Sequence, residues 1–172
     1  RTALDVWSRF AQIAGDNTSG LGAHEDTITA LDRWMRGSRR SGMSWDAFQP
    51  DVIVSFGAPL LSKALRQALR SAPVDHWHID SGGRHVQAFE GPHHRVDCPP
   101  HTAIVSTAEA LTNAQASPAA QSWMAQWRKT EVRLRSQHES SWQEAPWSDL
   151  RVHALLHRRL AQHQETHLHL AN

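Results

Sequence analysis

His76 and His78 stand two residues apart in "DHWHID", and His167 and His169 repeat that spacing in "THLHLAN". On an extended strand, residues i and i+2 point to one face, so each pair could offer two imidazoles to a metal such as zinc. His93 and His94 add an adjacent pair in what reads as a loop. A third ligand at diagnostic spacing is missing, and neither HExxH nor CxxC occurs. Polar strand histidines are therefore favoured over a metal site, and no residue is assigned to a metal. Cys98 lies between Asp97 and Pro99 with no base beside it in sequence, so it reads poorly as a nucleophile. No GxSxG elbow is present, and no pair of carboxylates has readable acid–base spacing. Asp80 follows a strand and precedes Gly82-Gly83. A turn-forming aspartate is favoured there over one that takes ribose hydroxyls.

The strongest local candidate is "PDVIVSFGAPLLSKALRQ", residues 50–67. It reads as a buried strand, a break at Gly57, and a helix that opens with Ser62 and Lys63. Amide N–H groups at a helix N-terminus carry about half a positive charge. A hydroxyl and an ammonium there would suit a carboxylate or a phosphate. The stretch is neither a Walker loop nor a GxGxxG fingerprint. On spacing alone a purely structural strand-to-helix turn is favoured over an anion site.

The elements that must position these residues can be read from periodicity. Leu4, Trp7, Phe10 and Ala11 share a face of a first helix over 2–11. A short strand around 12–14 follows, then a turn cluster. A second helix is expected over 24–37, with Ile28, Leu31, Trp34 and Met35 as its stripe and Gly37 as its stop. The strand 51–57 reads as central, parallel and covered on both faces. The helix 58–71 should turn Leu61, Leu65, Ala68 and Leu69 inward. Another strand covers 77–79, two extended pieces lie over 84–91 and 93–100, and a short helix covers 104–114. From 117 to 144 a long, surface-lying helix starts with Pro118 in its first turn. Its Trp123, Trp127, Leu134, His138 and Trp142 recur near helical spacing as a packing face. Pro146 breaks it, Ser148 caps a helix carrying Leu150, Leu155, Leu156 and Leu160, and "THLHLAN" closes as a strand. Strands alternating with helices predict an α/β, Rossmann-like, mainly parallel sheet with flanking helices.

Bulk properties narrow the function. The 172 residues suffice for a real core, and 18 basic against 17 acidic residues give a net charge of +1. Nucleic-acid binding, which wants a basic excess on one face, is disfavoured. One cysteine excludes an internal disulfide framework and fits a reducing cytoplasm. No run approaches the roughly 20 apolar residues of a membrane helix. The sequence opens "RTALDVWSRF", without Met and as if in mid-helix, so both ends read as cut from a longer chain.

"PDVIVSFGAPLLSKALRQ" followed by "HWHIDSGGRHVQAF" and the closing "LHLAN" resembles the 2-succinyl-5-enolpyruvyl-6-hydroxy-3-cyclohexene-1-carboxylate synthases (MenD). These are thiamine-diphosphate enzymes of menaquinone and phylloquinone biosynthesis. The resemblance is to their middle domain. It implies a central Rossmann-like domain over 1–116, a linking helix over 117–146, and over 147–172 the truncated start of the C-terminal domain that binds the cofactor diphosphate. It further implies a parent, active as a homo-oligomer (dimer or tetramer), that decarboxylates 2-oxoglutarate and adds the succinyl-semialdehyde unit to isochorismate. Thiamine diphosphate and Mg²⁺ or Mn²⁺ would be the parent's cofactors. The activating glutamate belongs to the family's first domain and the GDG…N metal motif to its third. These 172 residues alone are therefore expected to hold no cofactor, to supply no catalytic residue and to be inactive. Lys63 falls on the lysine of the family's "SK" and would meet a substrate carboxylate, supported by Ser62. The position after it, basic in some members, is Ala64, which puts a second contact in doubt. Asn172 matches a residue just before two substrate contacts. Arg84 is a candidate regulator contact, with a solvated turn arginine favoured over it. The rival readings are the middle domain of another thiamine enzyme, such as an acetolactate-synthase-like protein binding FAD, and a stand-alone nucleotide- or metal-binding module.

Overall fold

The computed structural model describes residues 2–15, 19, 21, 24–29, 31–40, 42–57, 62–70, 72–82, 89 and 92–163, the side chains of 38–40 excepted. Helix α1 (Ala3–Trp7) leads to strands β1 (Ile13–Ala14) and β2 (Thr27–Ile28), and helix α2 (Leu31–Arg40) follows. A 3-10 turn (Trp45–Phe48) precedes β3 (Val52–Phe56), α3 (Lys63–Arg70), β4 (Asp75–Ile79) and β5 (His93–Val96). Helices α4 (Pro100–Leu111), α5 (Pro118–Glu144) and α6 (Asp149–Leu160) complete the described chain.

β4 lies between β3 and β5, and both pairings are parallel. Ser55 stands opposite His78, Val54 opposite Trp77, and His76 opposite His93. A second, two-stranded sheet pairs β1 with β2, also in parallel. Parallel strands need crossover connections rather than hairpins, and α3 is the crossover from β3 to β4. Parallel sheets with flanking helices make this an α/β, Rossmann-like fold.

Several expected boundaries move, each for a physical reason. The helix expected over 24–37 starts at Leu31, because β-branched Thr27 and Ile28 pair with Ile13 and Ala14 as a strand. His93 and His94 lie in β5, not in a loop, paired with His76 and Trp77. The short helix expected over 104–114 begins four residues earlier, with Pro100 at a first-turn position where its missing N–H costs nothing. The sheet is also less covered than a central parallel strand suggests: Val52 is 53 % and Trp77 39 % exposed. Pro118 does open α5, with Ser117 Oγ accepting from Ala120 N at 3.2 Å. Ser148 caps α6, accepting from Arg151 N at 3.4 Å.

The chain divides into two compact units, Arg1–Glu131 and Val132–Asn172. The core of the first is aromatic. Trp34 has no exposed surface and stacks on Trp127 with ring centroids 4.2 Å apart. Phe48 meets both rings edge-on, at 4.9 Å and 5.5 Å. So Trp127, on the polar α5, is covered by α2 and the 3-10 turn of its own chain. Trp7 joins α1 to α4 by donating its indole N–H to Ile104 O at 3.1 Å, and its ring meets Phe56 of β3 edge-on. In the second unit, Trp142 Nε1 donates to Glu139 at 2.8 Å, and the Arg158 guanidinium lies 5.9 Å from the Trp142 ring centroid. α6 buries none of its residues, and Leu150, Leu155 and Leu156 are exposed.

Candidate functional site

β3 ends in Gly57, whose φ of +69° is a left-handed conformation that glycine adopts without strain. Among the described residues a Cβ there would meet nothing within 4 Å, and the backbone angle itself asks for glycine. Gly57 N donates to Ile79 O at 3.3 Å, which ties the turn to the end of β4. Residues 58–61 lie outside the described residues.

The chain re-enters at Ser62, which is buried. Its hydroxyl donates to Asp32 Oδ1 of α2 at 2.7 Å and accepts from Leu65 N at 3.2 Å. Ala64 N also donates to Asp32 Oδ1, at 3.4 Å. Asp32 therefore brings a carboxylate to the α3 N-terminus, where helix amides favour negative charge. Lys63, the first residue of α3, is exposed. Among the described residues no carboxylate pairs with it. Inward, Leu65 and Leu69 anchor the helix. The turn thus presents the Lys63 ammonium on a helix end where Asp32 holds the Ser62 hydroxyl and the Ala64 amide. Asn172, Arg84, His167 and His169 lie outside the described residues.

A second constellation crosses the sheet from Ser55, two residues before Gly57. Ser55 Oγ lies 2.7 Å from His76 Nε2 and 2.9 Å from His78 Nδ1. His76 Nδ1 in turn lies 3.1 Å from His93 Nδ1. Four polar groups from three strands form a continuous hydrogen-bonded row, and His76 and His78 are 2 % and 1 % exposed. Phe89 closes over His76, ring centroids 4.8 Å apart. Burial first, then the neighbouring His93 and His78, push the His76 imidazole down to about 4. The row is thus neutral near pH 7 at His76. Among the described residues, no group of three or more His, Cys, Asp or Glu side chains is placed to hold a metal ion.

The i, i+2 spacing correctly puts His76 and His78 on one face. It does not say that this face is the buried one, with Trp77 left half-exposed on the other and stacked on His94 at 4.3 Å. Ser55 was missed. The available signal was a lone hydroxyl inside the apolar run "VIVSF", but its partners depend on a cross-strand register that spacing does not give. Asp80 follows β4, and its amide donates to Val96 O at 3.2 Å. Cys98 is a free thiol whose only hydrogen bond among the described residues runs to Pro99 O, at 3.5 Å.

Over 132 residues, 74 % of this chain, the sequence is 26 % identical to the 2-succinyl-5-enolpyruvyl-6-hydroxy-3-cyclohexene-1-carboxylate synthase of Porphyromonas gingivalis (strain ATCC BAA-308 / W83). The match takes in 22 % of that synthase's length. No family model matches the chain, and no solved structure matches it. No described helix is long and apolar enough to cross a membrane.

Proposed function

We propose that this chain is the central region of a thiamine-diphosphate-dependent synthase of the MenD kind. Its parent would decarboxylate 2-oxoglutarate and add the succinyl-semialdehyde unit to isochorismate. The observation that carries the reading is the 26 % identity to such a synthase over 132 residues, in a chain whose fold is a parallel α/β sheet with a glycine turn leading into Ser62-Lys63. In this reading residues 1–116 are the central domain, 117–146 the linking helix and 147–172 the start of the following domain. The parent works in the cytoplasm as a homo-oligomer.

The described residues do not fit thiamine diphosphate or its metal. No cation-holding group is assembled among them, and the helix end best suited to a diphosphate carries the Asp32 carboxylate. The cofactor, whose chemistry is carbanion stabilisation, and its Mg²⁺ or Mn²⁺ belong in this reading to other parts of the parent. What this chain supplies is electrostatic. Lys63 meets a substrate carboxylate at the mouth of the β3–α3 turn. Ser62 supports it from below by locking the first turn of α3 to Asp32. Asn172 belongs to the same substrate set, and Arg84 is a candidate contact for a regulator, with a solvated turn arginine favoured over it.

The test is to assay the full-length protein with 2-oxoglutarate, isochorismate, thiamine diphosphate and Mg²⁺. The expected result is CO₂ release that requires both substrates. A yellow protein that releases CO₂ from pyruvate instead would make the parent an acetolactate-synthase-like enzyme and sink the reading.

A further inference from the structure

Within the first unit an open, solvent-facing cavity of about 580 Å³ lies between the turn after α1, the α4–α5 connection and the first turns of α5. That volume is in the range of sites for small organic molecules. Two of its ten lining residues are arginines, Arg9 and Arg128, and none is acidic.

Both guanidiniums are anchored by backbone carbonyls. Arg9 Nη2 donates to Leu111 O at 3.4 Å and Thr112 O at 3.2 Å, at the end of α4. Arg128 Nη2 donates to Ser8 O at 2.6 Å. Carbonyls fix a guanidinium without neutralising it, and each keeps further N–H groups in a planar fork suited to carboxylate or phosphate. Asp26, 3.5 Å from Arg128 Nε, offsets part of one charge but does not line the cavity. Arg9 has no carboxylate partner among the described residues. The rest of the wall combines the side-chain amides of Gln115 and Gln121 with apolar surface from Phe10 and Met124.

We infer that this cavity binds a small organic anion, its carboxylate or phosphate on Arg9 and Arg128 and its apolar body against Met124. The inference is independent of the synthase reading, since it rests on two arginines in the wall of a cavity with no acidic residue in its lining. It assigns a function to the α1–α4–α5 corner, which the substrate turn does not involve.

The test is calorimetric titration of the full chain, at low salt, with butyrate, butyl phosphate and the neutral butyramide. Butyrate or butyl phosphate is expected to saturate one site, and the tighter of the two identifies the anion. Butyramide should bind at least about tenfold more weakly, because it cannot use the charge. Arg9→Gln should weaken the anion about tenfold or more while the chain stays folded, its thermal midpoint lowered only by the lost contacts to the end of α4, and Arg9→Lys should recover part of the loss. Binding of neither anion, equal binding of butyramide, or full affinity in a folded Arg9→Gln chain would overturn the site.

Discussion

Ser55 has one hydrogen to give and two imidazole nitrogens to satisfy, His76 Nε2 and His78 Nδ1. If the hydroxyl donates to His78, then His76 Nε2–H donates to Ser55, and His93 Nδ1–H donates to His76. If the hydroxyl donates to His76, every bond reverses. Either way a neutral row can be saturated with one N–H per ring, and a proton added at His76 makes both its nitrogens donors and forces Ser55 Oγ and His93 Nδ1 to accept from it. Ser55→Ala leaves two buried ring nitrogens without this partner, so it should cost about 1–3 kcal/mol in urea unfolding. The pH dependence follows in sign. Above about 6.5 His76 is neutral folded and unfolded, and its contribution is complete. Below that the unfolded chain gains a proton that the folded chain refuses until about 4. The His76 contribution should therefore fall by about 3 kcal/mol from pH 6.5 to 4. It faces His78, His93 and Ser55, so no carboxylate in this row offsets the loss. Urea midpoints across that range should flatten in a His76→Phe variant. An unchanged wild-type midpoint would contradict the neutrality of His76. Of this constellation the sequence revealed the shared face of His76 and His78. Ser55 and His93 enter only through strand register, a long-range property of the fold.

At the scale of elements, α3 depends on a capping arrangement that spans two helices. Ser62 accepts from the Leu65 amide and donates to Asp32. Ser62→Ala should cost about 1 kcal/mol through the lost cap, read as a lower thermal midpoint. It should also loosen Lys63 without removing it. Ser62 was singled out from sequence as a hydroxyl near the start of the helix, not as its cap, which its contact with the Leu65 amide reveals. Asp32 was not, because α2 reaches it from 30 residues away. Helix α5 shows the complementary case. Its tryptophan spacing was readable as a packing face, and the cover for Trp127 turned out to be Trp34, Trp45 and Phe48. Trp127→Ala should therefore cost about 3–5 kcal/mol, measurable by chemical denaturation. The pair β1–β2 was half-missed because a two-residue strand has no period to detect. Only the pairing of Thr27 with Ile13 declares it.

At the scale of the whole molecule, alternating strand and helix patterns were enough to predict a parallel α/β sheet, because the strands of the larger sheet and its flanking helices are long enough to show their type, whereas β1 and β2 are not. The β3–α3 turn drew attention through its residue types, Gly57, Ser62 and Lys63, and through the resemblance of residues 50–67 to the synthases. The structure adds that Ser62 is buried while Lys63 is exposed. That difference divides the work between a residue that holds the turn and one that can meet a ligand. The central claim is that Lys63 serves a synthase site completed by other parts of the parent. Its most direct test is the initial rate of CO₂ release from 2-oxoglutarate, in the presence of isochorismate, by the full-length protein and its Lys63→Ala variant. The account predicts a KM for one of the two substrates raised about tenfold or more, the loss expected for a charged contact, with an unchanged thermal midpoint. Wild-type KM values for both substrates in a folded Lys63→Ala enzyme would contradict it.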